Sequence, residues 1–299
     1  GFAVQTGLAP SYGRYGLDDA DRLSTKLSLL WEPSDSFSAQ LTAQYFTADE
    51  NGAAQKHVAD PDPDPRRISQ DYPNKYQLDF FLAYADLRYD LGFGTLKSLT
   101  SYQRTRNHNQ IDVDRLNYAS LGAYDVQPYW DNGVDAFSQE FNLTSNGNGP
   151  LSYIIGTYFL YQNLKQDILE YKGTDVSPTF NLILPLTFAN YPYNLDYALN
   201  SRQKRYSYAA FAQGKYQFAD RLSATIGLRF NHDKFKSSNS TLFDIFGPTV
   251  FAETSESALT GKAELDFELS DRNMVYVSVS RGYKPGGVSN NNTPLLVPL

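Results

Sequence analysis

The sequence predicts an all-β protein, an antiparallel transmembrane β-barrel with long extracellular loops and short periplasmic turns. Three observations predict it. Apolar and polar residues alternate along several segments, as expected when one face of a strand meets an apolar medium. About ten such segments run for about ten to fourteen residues, longer than ordinary strands and long enough for a tilted bilayer crossing. Short and long connections between these segments alternate without exception.

The composition of the chain excludes several classes of protein. Its 299 residues include no cysteine, which excludes disulfides, thiolate metal sites and cysteine nucleophiles. A net charge of −7 without a Lys/Arg cluster argues against a nucleic-acid partner. No apolar stretch is long enough for a membrane-spanning helix. A mean hydropathy of −0.47 still fits a barrel, because half of each strand faces a polar lumen.

The first predicted hairpin shows the alternation clearly. In residues 22–31 the odd-numbered positions are mostly apolar and the even-numbered positions are mostly polar. A turn at 32–35 leads into residues 37–45, where the same alternation returns. Each strand is therefore predicted to have one apolar and one polar face.

Later segments repeat this pattern with different clarity. It is clear in residues 137–144 and 222–231 and cleanest in 259–269, where acidic, basic and hydroxyl side chains separate the apolar ones. Five further strands are predicted with less certain facing, at 77–90, 95–107, 151–163, 205–218 and 273–284.

The connections predict which ends of the strands lie together. Tight turns are expected at 32–35, 92–94, 147–150, 219–220 and 270–273. Long polar segments are expected near 48–76, 108–134, 164–204 and 234–257. A soluble sandwich has no reason to place every long loop at one end, whereas an outer-membrane barrel does.

Four segments resemble the barrel of TonB-dependent outer-membrane receptors. Residues 278–287, with Arg-Gly-Tyr-Lys-Pro-Gly-Gly, resemble a late strand of that family and the loop it enters. Residues 137–143 resemble its mid-barrel Ser-Gln-Glu strand, and 94–102 and 21–35 resemble earlier strands. The four follow the order of the family and span most of residues 20–287.

The resemblance implies that residues 1–299 are a partial barrel domain, with about ten strands of a 22-stranded barrel. Nothing in the sequence resembles the plug domain or the energy-coupling box of the family, so the plug is expected to be absent from this chain. The first residue is Gly1 rather than Met, and the end at Val297-Pro298-Leu299 lacks a terminal aromatic. Both features fit a central fragment.

The resemblance also implies a function for the parent protein in the cell outer membrane. It would import a scarce nutrient, most often a ferric siderophore, with cobalamin, haem or glycans as other ligands. Its partners would be outer-membrane lipid, its own plug domain and a TonB-type inner-membrane energy-coupling complex. No enzyme activity or cofactor is expected. The alternatives are a complete ten-stranded barrel enzyme resembling a protease, a passive porin and a soluble β-sandwich.

Aromatic loops are the candidate ligand-binding segments. Aromatic side chains stack on ring-bearing chelates, and basic side chains bind anions. The candidates are Tyr118, Tyr124, Tyr129, Trp130, Tyr191, Tyr193, Arg202 and Arg205. Alternatively, Tyr and Trp at strand ends form an aromatic girdle at the lipid headgroups.

Charged residues on the predicted polar faces need partners inside the barrel. Because a plug fills the lumen in the family, we expect some of them to contact it. The candidates are Arg22, Glu140, Arg229, Lys262 and Glu264.

The sequence contains no nucleophile elbow, P-loop, dinucleotide fingerprint or zinc-binding His-Glu-x-x-His helix. A protease would need His and Asp at the rim, and the candidates are His232 with Asp233, and His108 with Asp112 and Asp114. Loops in an acidic protein commonly place Asp near His, and we favour this explanation over catalysis. The Asp-Pro run at 57–65 carries oxygen ligands that suit calcium, but alternating prolines favour an extended, solvated loop without metal.

Overall fold

A computed structural model describes residues 3–6, 15–60, 62–70, 72–112, 115, 126–147, 149–172, 195–241 and 249–287. These residues form thirteen strands. None of them belongs to a helix long and apolar enough to cross a membrane. The strands are β1 (Ala3–Thr6), β2 (Tyr15–Leu17), β3 (Arg22–Ser34), β4 (Phe37–Glu50), β5 (Arg67–Ser69), β6 (Lys75–Asp90), β7 (Gly94–Gln110), β8 (Val126–Ser145), β9 (Leu151–Lys172), β10 (Leu195–Ala219), β11 (Leu222–Thr241), β12 (Val250–Ser270) and β13 (Asn273–Arg281).

Ten of the strands form one sheet in the order β13-β12-β11-β10-β9-β8-β7-β6-β4-β3. Every neighbouring pair is antiparallel. The order of the strands in the sheet follows their order in the sequence, except that β5 is absent and β4 pairs directly with β6. The all-β antiparallel fold predicted from the alternation is confirmed. Within the described residues the sheet is open, with β3 and β13 at its edges.

One face of this sheet is an exposed apolar belt, which we call the outward face. Directly paired residues share a face of the sheet, and the pairs Leu29–Leu41, Leu228–Gly261 and Ala263–Val279 all belong to it. Ile226 is 62% exposed and Val277 67%. Apolar side chains in this arrangement suit contact with lipid tails.

The opposite, inward face is polar and better covered. Thr42, Thr225 and Asp266 are buried there. In the described part of the chain, the buried hydrophobic residues are few and small apart from Leu17, Ile68 and Leu199. A soluble sandwich would bury its apolar faces against each other, so this distribution argues against that alternative.

The strands continue further than the sequence indicated, because β8 to β12 each span 20 to 25 residues. Both ends of each predicted loop at 108–134, 164–204 and 234–257 are therefore strand. Above the bilayer both faces meet water, so the period-two signal fades while the ladder hydrogen bonds continue. The predicted loops were therefore too long, although the longer connections all lie at one end of the sheet, as predicted.

The short turns lie close to where the sequence predicted them. At the β6–β7 turn, Gly92 has a φ of +85°, which favours glycine, and its amide donates to Asp90 Oδ1 over 2.7 Å. The first turn is displaced: Glu32–Ser34 still belongs to β3, and the register shifts between Trp31 and Ser34 before the chain turns.

A second, three-stranded sheet lies at the end of the molecule with the long connections, which we call the outer end. Its order is β2-β1-β5, with β1 parallel to β5. Leu17 and Ile68 are fully buried within it and Ala54 packs against them. This small core orders the long β4–β6 connection.

The Asp-Pro run in that connection is a mostly exposed loop, as predicted, but it folds around a lysine instead of extending. The Lys56 ammonium lies 3.2 Å from the buried carboxylate of Asp60 and donates to the backbone oxygens of Asp64 and Arg67. Backbone amides of Asp62 and Ser69 also donate to Asp60, over 2.9 and 3.0 Å. A cation within reach of these oxygens explains why the chain bends instead of extending.

Candidate functional site

The candidate site is a cleft on the inward face, lined by the middle of β9 to β12, the outer end of β13 and the segment after it. Its volume is about 430 Å³, and its lining includes Tyr158, Arg205, Arg229, Asp233 and Tyr283. Strand alternation places these side chains on one face, since Tyr158, Ala209 and Asn231 follow one another across the ladder. The cleft therefore collects arginines and phenols on the polar face of the sheet.

Arg205 and Asp233 form the buried ionic part of the cleft. The Arg205 guanidinium donates to Asp233 Oδ1 over 3.0 Å and to Ser207 Oγ over 3.0 Å. Ser207 in turn donates to Asp233. The guanidinium also stacks on the Phe235 ring, 5.1 Å from its centroid. These contacts fix the orientation of Arg205 while leaving about a third of its side chain exposed to the cleft.

Arg229 carries a charge that no carboxylate of the described residues neutralises by a salt bridge. Its Nε donates to Asn231 Oδ1 over 2.8 Å. Its guanidinium lies 5.2 Å from the ring centroid of Phe211 and 5.8 Å from that of Tyr158. Aromatic rings hold the cation in place without cancelling its charge. Arg229 is thus the group in the cleft best prepared to bind an anion.

The segment after β13 is attached to the inward side of the sheet by Glu256. This carboxylate accepts hydrogen bonds from the Tyr283 hydroxyl over 3.3 Å and from the Gly286 amide over 3.1 Å. Burial, together with the negative charges of Asp233 and Glu256, raises the pKa of the Tyr283 phenol. Tyr283 therefore keeps its proton at neutral pH and can donate a hydrogen bond.

The structure separates the ligand-binding candidates predicted from the sequence. Tyr118, Tyr124, Tyr191 and Tyr193 lie outside the described residues. The others lie on strands, not in loops: Tyr129 and Trp130 on β8, and Arg202 and Arg205 on β10.

Alternate residues of a strand point to opposite faces of the sheet, and these four residues therefore fall on both faces. Trp130 and Arg205 have inward register positions, whereas Tyr129 and Arg202 have outward ones. Tyr129 packs near His108, with ring centroids 6.2 Å apart, and Arg202 pairs with Asp167 over 2.7 Å. Only Arg205 of this set lines the cleft.

All five residues predicted to face a plug lie on the inward face. Arg22 pairs with Glu50, and Glu140 accepts a hydrogen bond from Asn142 over 2.6 Å. Lys262 and Glu264 precede Asp266 on the inward face of β12, and Asp266 pairs with Lys215 over 3.1 Å. Their contact with a plug stays a prediction.

Among the described residues, no contact joins His232 to Asp233 or His108 to Asp112, as the protease alternative would require. His232 and Asp233 are consecutive on β11, so their side chains point to opposite faces. His108 contacts Asp131 over 2.6 Å on the outward face. Asp112 lies buried at the start of the β7–β8 connection, and Asp114 is outside the described residues. His57 lies in the β4–β6 connection. Across the described ranges, no three His, Cys, Asp or Glu side chains are grouped as metal ligands would be.

Several cleft residues were not predicted to bind ligand, namely Tyr158, Ser207, Asp233, Glu256 and Tyr283. They could be found by continuing the alternation of inward and outward positions along each strand beyond the apolar belt. Continuing the inward positions of β11 upward from Arg229 reaches Asn231 and then Asp233. Tyr283 has no such signal, because it lies beyond the end of β13.

Comparison with known proteins identifies the family to which this fold belongs. Residues 18–296 match the family described as TonB dependent receptor-like, beta-barrel. The chain therefore belongs to that family, a family of receptors and transporters, and is part of an outer-membrane protein. No curated protein matches it in sequence.

Solved structures share the fold at low sequence identity. The ferric yersiniabactin uptake receptor FyuA from Yersinia pestis superposes with a TM-score of 0.71 at 15% identity, covering 95% of this chain and 40% of that chain. The siderophore receptor PiuA from Acinetobacter baumannii gives 0.60 at 14%, covering 93% and 43%. The ferric citrate transporter FecA gives 0.59 at 15%, covering 89% and 37%. The chain thus spans about two fifths of the length of these structures.

Proposed function

We propose that the parent receptor takes up a scarce nutrient across the outer membrane, and that this nutrient is a ferric siderophore. The observation that carries the proposal is the inward cleft, where Arg205 and Arg229 lie beside Tyr158 and Tyr283. The receptors with the same fold include ones named for ferric yersiniabactin and ferric citrate, both of which are iron chelates. Iron is the cargo here, not a resident metal.

The chemistry of the cleft suits an anionic chelate with aromatic groups. Guanidinium groups form paired, charge-assisted hydrogen bonds with carboxylates. Arg229 offers such donors without a competing carboxylate, and Tyr158 and Phe211 already stack against it. The Tyr283 phenol adds a neutral hydrogen-bond donor at the outer rim.

Energy coupling in this proposal comes from a TonB-type inner-membrane complex that acts on a plug domain. The plug would belong to the parent protein outside residues 1–299, and the inward residues Arg22, Glu140, Lys262 and Glu264 would contact it. Charged inward groups that are half-exposed in an open sheet gain partners when a polar domain fills the lumen. Capture and plug movement require no covalent step, so we propose no enzymatic activity.

Uptake of radioactive iron by cells that carry the intact receptor tests this function. Arg229→Gln keeps hydrogen-bonding capacity but removes the charge, and we expect the Kd for a carboxylate-bearing ferric siderophore to rise about tenfold or more. The matched control is Arg272→Gln, which removes a positive charge from the short β12–β13 turn. Binding is measured on purified receptor and uptake on iron-limited cells.

Three outcomes decide the proposal. Uptake must cease when the inner-membrane complex is deleted, while binding persists. Lys262→Glu must lower uptake without changing the Kd, because it alters plug contact and not ligand contact. Equal Kd values for the native receptor, the Arg229 variant and the Arg272 control would contradict the assignment of the cleft.

A further inference from the structure

The segment after β13 forms one wall of the cleft. We call residues 282–287 the strap, and its residues Tyr283 and Pro285 line the cleft. Within the described residues, the strap is hydrogen-bonded to the sheet only through Glu256 of β12. A Cβ atom added at Gly287, the last residue of the strap, would meet nothing within 4 Å. The position of the strap therefore depends on Glu256.

Two hydrogen-bond donors of the strap converge on one carboxylate oxygen. The Tyr283 hydroxyl and the Gly286 amide both donate to Glu256 Oε2, over 3.3 and 3.1 Å. A Cβ atom at Gly286 would lie 2.5 Å from Glu256 Oε1, so the carboxylate approaches this amide only because the residue is glycine. Amides and hydroxyls that converge in this way form a binding position for an anion. The strap thus carries an anion-binding position, which Glu256 fills.

Glu256 is held in this position by weak contacts. The hydrogen bond of 3.3 Å from Tyr283 is long, since O–H···O bonds are commonly about 2.7–2.8 Å. In the ladder Glu256 lies directly opposite Asp233, and like charges at such positions destabilise a sheet. Asp233 has Arg205 as its counter-ion, whereas Glu256 has no cation within 4.0 Å among the described residues. Because Glu256 is exposed, another anion can reach its donors and replace it.

The cleft offers positive charge that Glu256 does not contact. Arg229 and Arg281 both line it, and in the described part of the chain neither forms a salt bridge with a carboxylate. Guanidinium groups bind carboxylates through paired hydrogen bonds. The reach of Glu256 is fixed by its place on β12, whereas a ligand with two carboxylates can contact an arginine and the strap together. Such a ligand has an advantage over Glu256 in competing for the strap donors.

We propose that Glu256 is an internal substitute for a ligand carboxylate, and that the nutrient is a chelate with at least two carboxylates exposed at its surface. One carboxylate takes over the two strap donors from Glu256, while another binds Arg229. A chelate with one carboxylate gains no more from the strap than Glu256 already does, so the competition selects against it. This role of Glu256 rests on the proposed function, because it assumes that the cleft binds the nutrient.

Chemical rescue in the intact, detergent-solubilised receptor tests the proposal without iron. Glu256→Ala removes the internal carboxylate, and we expect the Gly286 amide to exchange its hydrogen about fivefold faster. Acetate, added as an external carboxylate, should restore the slower exchange, whereas neutral acetamide should not. Citrate, a tricarboxylate, should act at a concentration about tenfold lower than acetate. Millisecond hydrogen exchange with mass spectrometry of the strap peptide measures each effect.

Two further amides serve as controls. The Gly92 amide donates to the Asp90 carboxylate over 2.7 Å at the short β6–β7 turn. Asp90→Ala should speed its exchange, and acetate should not restore it at the concentration that acts on Gly286, because that turn lacks the arginines of the cleft. The Glu268 amide donates to the backbone oxygen of Arg221 over 2.9 Å at the far end of β12. It should exchange alike in every variant, which shows that the sheet still folds.

Rescue by both anions but not by acetamide, with citrate the more potent, supports the proposal. Failure of both anions, equal rescue by acetamide, or equal potency of acetate and citrate would overturn it. In Arg229→Gln/Glu256→Ala the advantage of citrate should disappear while rescue by acetate persists, because only the second contact is lost.

The rescue and the siderophore measurement can fail separately. Loss of rescue, together with a raised Kd of the Arg229 variant for the ferric siderophore, would overturn the role of Glu256 and leave the proposed function standing. Intact rescue with an unchanged Kd would overturn the ferric siderophore function and leave an anion-binding position on the strap.

Discussion

At the scale of single residues, parity within a strand decides what each side chain does. Lys204 lies on the outward face, whereas its neighbour Arg205 lines the inward cleft. His232 lies outward beside Tyr208, while Asp233 lies inward against Arg205. A shift of one residue in the register would exchange lipid-facing and lumen-facing groups along the whole strand. Function at this scale therefore depends on the register.

The ordering of the β4–β6 connection by Asp60 gives a pH-dependent prediction. Burial alone would raise the pKa of this carboxyl, but the amides of Ser69 and Asp62 and the Lys56 ammonium together hold it below its usual range. A carboxyl with a lowered folded-state pKa stabilises the fold above its unfolded pKa of about 3.9, and this stabilisation is lost as the pH falls through the folded value.

We therefore expect the amides of Asp62 and Ser69 to be protected from hydrogen exchange at neutral pH and to lose protection at strongly acid pH. Lys56→Gln should shift that loss to higher pH. The amide of Asp18 donates to the backbone oxygen of Gly52 over 3.0 Å, so it serves as a control without a carboxylate acceptor. Protection at Asp62 and Ser69 that follows Asp18 at every pH would show that Asp60 does not order the loop.

The sequence predicted the inward charges better than the ligand-binding residues. Arg229 and Lys262 were placed correctly because they lie within the bilayer, where apolar neighbours on either side define the facing. Arg202 was expected in a loop with Arg205, but it is paired with Asp167 on the outward face. Above the membrane neither face is apolar, so only the hydrogen-bond register reveals the facing.

At the scale of the strands, β9 packs so closely against β8 and β10 on the inward face that one of its positions has no room for a side chain. Gly156 is buried opposite Asn142 on β8 and Phe211 on β10. A Cβ atom there would lie 2.5 Å from Phe211 Cζ and 2.7 Å from the backbone oxygen of Phe141. Real atoms do not approach so closely, so the strands would have to move apart.

Gly156→Ala is therefore expected to lower the free energy of unfolding by about 1–3 kcal/mol, the usual cost of overpacking. Gly149→Ala is the matched control, because nothing lies within 4 Å of a Cβ atom at that turn position. Urea unfolding of the receptor in lipid vesicles, followed by circular dichroism, measures both. Equal midpoints for the two variants would mean that β9 is less tightly packed than described.

At the scale of the whole molecule, the sheet has two edges that require partners. Every residue of β3 and β13 is exposed, and within the described residues each strand is paired on one side only. Long, exposed apolar edges promote aggregation unless another strand pairs with them. This supports the proposal that further strands of the parent protein close the barrel, in keeping with the two-fifths coverage of the solved receptors.

The central claim is that the apolar face meets lipid and the polar face lines a lumen. Because the chain contains no cysteine, single cysteines introduced along β11 can be spin-labelled uniquely within it. In lipid vesicles we expect labels at Ile226, Leu228 and Phe230 to be relaxed by oxygen, and labels at Thr225 and Asn231 by a water-soluble nickel chelate. Accessibility without this two-residue alternation, or nickel access to both faces, would contradict the account.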